Sequence, residues 1–108
     1  MVAKALFDEI RSLGFAGISG SYANIGTALT KMARAFIAVN DTDGDLIISL
    51  DGGTTDHLYL PAGSFQLFDV GANAQQADDK YVLEVGTQFA VKQVTAPTEK
   101  SIYISVLR

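Results

Sequence analysis

The side chains with the most chemical capacity crowd between residues 41 and 57. Asp41, Asp43, Asp45, Asp51 and Asp56 lie there, together with His57, the one histidine in 108 residues. The acids of Asp41-Thr42-Asp43-Gly44-Asp45 occupy positions 1, 3 and 5 of a calcium loop. Counting on from Asp41, however, position 6 is Leu46 where the sharp turn needs glycine, and position 12 is Gly52 in place of a bidentate Glu. The EF-hand is excluded. Two readings stay open: an irregular calcium site joining these acids to Asp51 or Asp56, or a hairpin turn at Asp43-Gly44 that explains the same residues without a metal.

Catalysis finds no better footing. A single histidine rules out multi-histidine metal sites, and in a strand His57 and its neighbour Asp56 point to opposite faces, so the carboxylate does not orient the imidazole. Ser49 and Ser64 lack the context of a nucleophile elbow. Asp69 and Glu84 fall within expected strands as a carboxylate pair, but a sugar cleft normally adds aromatic platforms and this chain has no Trp. The glycines of residues 14–26 match no phosphate-binding loop, since Gly26 is followed by Thr27-Ala28 rather than Lys-Ser/Thr. No catalytic residue, metal ligand or cofactor is assigned, and the chain is expected not to be an enzyme.

Composition narrows the setting. With no cysteine there is neither a disulfide framework nor a thiolate metal site. The N-terminus meets Asp8 and Glu9 before any signal-peptide core forms, and no window approaches the ~20 apolar residues of a membrane span, so a soluble protein made in a cytoplasm is expected, without membrane contact. Charge is segregated: residues 40–79 hold eight acids and no Lys or Arg, while the remaining four acids and all eight bases lie outside. Phosphate contact needs Lys and Arg, so nucleic-acid binding by this middle region is not expected. An acidic edge that faces solvent or a basic partner is.

The elements that position these residues read as one small β domain. A chain of this size buries roughly 60–70% of its unfolded surface, enough for a core without staples. Val2, Leu6, Ile10 and Leu13 recur at helical spacing before Gly14, which predicts a short helix or arm over residues 1–14 that docks on the sheet domain or on another subunit. The glycine-rich residues 14–26 predict an edge strand or extended loop. Strands are predicted at Phe36–Val39, Leu46–Leu50, Leu58–Leu60, Phe65–Val70, Tyr81–Val85, Phe89–Val94 and Ile102–Leu107, with Phe36–Val39 and Leu46–Leu50 paired as a hairpin across Asp43-Gly44. Residues 71–80 read as a polar loop. Seven or eight short strands at this rhythm specify an all-β, antiparallel sandwich or jelly roll over residues 15–108. In the last strand Ile102, Ile104 and Val106 share one face, and Tyr103, Ser105 and Leu107 the other. Tyr59, Phe68, Tyr103 and Leu107 are expected to form an exposed apolar patch, which marks a partner surface.

A resemblance covers most of the same span. Asn40, Thr42, Asp45, Ile47, Ser49-Leu50-Asp51-Gly52, Thr54, Asp56 and Leu60-Pro61-Ala62-Gly63-Ser64-Phe65 resemble a pattern in small virion structural proteins of tailed bacteriophages. There a strand ending in Ser-x-Asp-Gly leads to a Thr-x-Asp turn and a Pro-Ala-Gly corner. Ser19-Gly20-Ser21-Tyr22 with Ile25-Gly26, then Gly86-Thr87-Gln88-Phe89-Ala90-Val91-Lys92, Ala96-Pro97-Thr98 and Ser101-Ile102-Tyr103-Ile104-Ser105, extend the likeness over residues 15–108. It implies a non-enzymatic β-sandwich of the virion, a capsid decoration or cement protein seated on the major capsid protein as a homo-oligomer. A tail or head–tail junction protein is the alternative. Expected contacts are Leu6, Phe7 and Ile10 of the arm with Tyr59, Phe68, Tyr103 and Leu107. A carbohydrate-binding module, using Tyr59 and Tyr103 to stack on sugar, is the competing class.

Overall fold

The computed structural model describes residues 7–69 and 83–107. Leu6, the predicted loop at 71–80 and the start of the predicted strand at 81–85 lie outside them. Among the described residues eight strands are formed: β1 Arg11–Gly14, β2 Ala23–Asn24, β3 Ala35–Asn40, β4 Leu46–Ser49, β5 Leu58–Leu60, β6 Phe65–Asp69, β7 Ala90–Gln93 and β8 Ser101–Leu107. They make two antiparallel sheets of four strands, sheet A in the order β1-β8-β3-β6 and sheet B in the order β2-β7-β4-β5.

Alternation drives the assembly. Along β8, Ile102, Ile104 and Val106 are buried while the residues between them are not, and β3 repeats the pattern with Phe36, Ala38 and Asn40 inward. Period-two burial commits one face of each strand to the core. Sheet B answers with Leu46, Ile48, Leu60 and Val91, and the loops add Ile18, Ile25, Leu29 and Phe89, giving one core between the sheets. Phe36 is its hinge: its ring lies 5.3 Å from both the stacked Phe68 and the tilted Phe89. Each such side chain contributes about 1.5–3 kcal/mol on burial.

Two local expectations are overturned. β3 and β4 do not pair as a hairpin; they belong to opposite sheets, and residues 40–45 are a corner between them. The reason is Asn40, fully buried, whose amide donates to Gly44 O and Leu60 O at 2.9 Å and Pro61 O at 3.2 Å. Its Oδ1 accepts from Thr42 N at 3.0 Å and Thr42 Oγ1 at 2.6 Å. This network satisfies the buried turn and leaves no reason for a two-residue hairpin loop. Gly44 is required for closeness rather than for an unusual φ, since a Cβ there would sit 2.4 Å from Thr95 O and 2.8 Å from Pro97 N.

The predicted N-terminal helix is also absent from the described part of its span. Arg11–Gly14 pairs with β8 in the register Arg11 to Ile104 and Leu13 to Ile102, and Phe7 bridges Leu107. Edge pairing satisfies the backbone of a segment too short to be a stable helix alone, so tertiary context overrides the 3.6-residue stripe. Just before β3, Ala33 exchanges backbone hydrogen bonds with Leu83.

Candidate functional site

Register places the outward residues of sheet A in rows. One row runs Ser12, Tyr103, Val39, Phe65; the next has Ser105, Ile37, Leu67; a third has Phe7, Leu107, Ala35 and ends at the register position of Asp69. Paired residues of an antiparallel ladder share a face, so these side chains form one surface. It is apolar and open: Phe65 is 71% exposed, Phe7 69%, Leu67 57% and Tyr103 38%, with Ile37, Val39 and Leu107 half-buried among them.

The outer side of sheet B is built differently. Tyr22 Oη donates to Asp56 Oδ1 at 2.5 Å, and Lys92 Nζ lies 3.2 Å from the same oxygen and 4.9 Å from the centre of the Tyr22 ring. Gly53, at φ +109°, lets the loop close on this ring; a Cβ would stand 2.8 Å from Tyr22 Cβ. Burial and the Asp56 hydrogen bond push the Tyr22 hydroxyl up, while the Tyr22 and Lys92 contacts hold Asp56 below the usual carboxylate range. Tyr59, on the same side, has its hydroxyl pushed up by the neighbouring Asp45 carboxylate.

Asp43 and Asp45 tie their corner to neighbouring loops, and Asp51 closes its own turn. Asp43 accepts from Thr98 N at 2.6 Å and from the Thr98 hydroxyl, which lowers its pKa. Asp45 accepts from Ala62 N at 2.9 Å, again with a lowered pKa. Asp51 accepts from Ser49 Oγ at 2.5 Å and from Thr54 N and Thr55 N at 3.0 Å; the Ser49 hydroxyl is the main cause of a carboxyl held far below its ordinary range. His57 Nδ1 accepts from Leu50 N at 3.1 Å, a turn-closing bond. Among the described residues no cluster of three metal-ligating side chains is present. Protein donors, not a hairpin loop, account for Asp43, Asp45, Asp51 and Asp56.

The partner-surface residues expected from sequence are thus dispersed. Phe7, Tyr103 and Leu107 come together on the outer face of sheet A. Tyr59 is exposed on sheet B, so it makes no joint stacking platform with Tyr103. Phe68 is a correction: paired with Phe36, it turns inward against the core, because β6 presents Phe65 and Leu67 outward and Phe68 with the opposite parity. Ile10 is exposed beside an open groove of about 430 Å³ between residues 8–12 and 26–30. There Arg11 is buried, its Nε donating to Thr27 O at 2.8 Å.

Phe65 and Leu67 join this surface without a sequence expectation that places them there. Their signal was the alternation Phe65, Gln66, Leu67, but Phe68 follows and hides which parity faces out. Pairing with β3 decides it.

No family model matches the chain, and no curated protein matches it. Among solved structures it is similar over 96% of its length to the SPP1 Dit (gp 19.1) protein, described as a paradigm of the hub adsorption apparatus in phages infecting Gram-positive hosts. The TM-score is 0.40 and the identity 10%, and the chain spans 49% of that protein's length. At that level the likeness assigns no function.

Proposed function

We propose that this chain is a structural protein of tailed-bacteriophage particles, a capsid decoration or cement protein that works by surface contact and not by catalysis. The observation that carries a contact role is the open apolar face of sheet A on a hydrogen-bonded frame. A rigid surface docks with little ordering cost, which suits a protein added to a preformed shell. The type of assembly comes from the ordered turn motifs over residues 15–108, whose residues serve as corners: Ser49, Asp51 and Thr54 close one turn, and Ser64 N donates to Pro61 O at 3.1 Å in another. Partners on this reading are further copies of the chain and the major capsid protein.

The test is to locate the chain on purified particles with gold-labelled antibody. Signal distributed over the shell is expected. Signal confined to the tail or neck overturns decoration and assigns the chain to the tail, and absence from particles overturns a virion role altogether.

A further inference from the structure

We propose that the outer face of sheet A is a two-fold self-association surface, covered by sheet A of a second copy of this chain. The inference rests on the reading of that face as an assembly surface, and it holds whichever part of a particle carries the protein.

Area is the first argument. With roughly 200 Å² for an aromatic side chain, the exposed parts of Phe7, Phe65, Leu67 and Tyr103 come to on the order of 450 Å² of apolar surface. That lies within the range of the largest patch on ordinary monomers, which is often functional. Two such patches stacked remove about 900 Å² before Ile37, Val39, Leu107 and the polar rim are counted, which approaches the ~1,200 Å² at which specific interfaces begin.

Charge is the second. Apart from the register position of Asp69 at the β6 edge, the rows contain only apolar residues and the hydroxyls of Ser12, Ser105 and Tyr103. Among the described side chains of these rows a basic or acidic partner finds no charge to pair with. A second copy does fit, because a neutral face lets two chains of net charge −4 meet without bringing like charges together.

Geometry is the third. A two-fold contact needs only one surface, self-complementary about its axis. Two sheets stacked face to face about 10 Å apart, with strands within about 30°, repeat the packing already present inside the molecule. The arrangement leaves the polar side of sheet B outward in both copies.

The experiment is the mass of the purified full chain by sedimentation equilibrium across concentrations, for the natural sequence, Leu67→Lys and Tyr59→Lys. A dimer of the 11.5 kDa chain is expected. Leu67→Lys weakens it at least about 30-fold, the size of a hot-spot loss, while Tyr59→Lys leaves it unchanged. Both sites are exposed, and circular dichroism with thermal melting confirms that each variant folds. A monomer at every concentration up to about 100 µM, a trimer, or a dimer unmoved by Leu67→Lys overturns the proposal. If the chain is monomeric but binds particles, and Leu67→Lys abolishes that binding, another virion protein covers the face; the self-association claim then fails and the virion reading survives.

Discussion

The two outer sides of this sandwich solve the same problem in opposite ways. On sheet B, exposed tyrosines have charged company: Tyr22 is pinned between Lys92, Asp56 and the Gly53 backbone, and the Asp45 carboxylate near Tyr59 pushes its hydroxyl up. On sheet A, Phe7, Phe65 and Leu67 lie in rows with hydroxyls and aliphatic chains and have no polar tip to satisfy. A hydrogen-bonded ring is a finished surface, whereas an apolar row in water gains free energy when something covers it. The difference therefore separates a side built to hold its own loops from a side built to be covered.

The largest expected effect comes at the corner that lets the two sheets diverge. Asn40→Ala removes five hydrogen bonds at a fully buried position, those its amide donates to Gly44 O, Leu60 O and Pro61 O and those its Oδ1 accepts from Thr42 N and Oγ1, so a loss of about 3–5 kcal/mol is expected in urea unfolding. Both sides should fail together. Gly44→Ala follows at about 2–3 kcal/mol, because the displaced atoms are backbone of the 95–97 segment.

Neighbours on β8 give a sharper contrast. Ile104→Ala opens a cavity in the core and should cost about 2–5 kcal/mol, whereas Ser105→Ala, one residue on and facing outward, should stay within about 0.5 kcal/mol. An equal loss at the two positions would contradict the alternation on which the outer face depends.

Acid should distinguish the sides without mutation. Asp43, Asp45, Asp51 and Asp56 all have folded pKa values below their unfolded value of about 3.9. Their stabilisation is complete above that value and is lost as pH falls through the depressed folded values, so Tm should be flat from about pH 8 to 5 and fall below pH 4. Tyr22 acts at the other end. Its raised pKa means a contribution present below the unfolded value of about 10 and lost only as pH rises through the folded one. Tyr22→Phe should lower Tm by a few degrees, and Asp51→Asn should flatten the acid limb. Contact through sheet A should instead strengthen in sulfate and hold its affinity as sodium chloride rises.

Much of this was legible in the sequence. The all-β class and the strands at β3 to β8 follow from apolar pairs between Gly, Asp and Pro, whereas the described end of the strand predicted at 81–85 is a lone bridge at Leu83 that runs into a turn; the parity of Tyr103 and Leu107 against Ile102, Ile104 and Val106 follows from alternation alone. The rest depended on distant partners. Asp43-Gly44 reads as a hairpin until Asn40 is seen to reach Leu60 and Pro61, and Ile10 and Leu13 read as helix until β8 offers Arg11–Gly14 a ladder. Phe65 and Leu67 were visible as apolar but not as outward, since only the register with Ile37 and Val39 fixes that. A surface made by pairing four strands that are far apart in sequence leaves no local motif to find.

The central claim, that the chain uses sheet A and not sheet B as its contact face, is tested most directly by methyl NMR of the unmodified protein on dilution. Signals of Ile37, Val39, Leu67 and Leu107 should shift with concentration while Ile47, outward on sheet B, stays still. Concentration-dependent shifts at Ile47 with sheet A unmoved would contradict it.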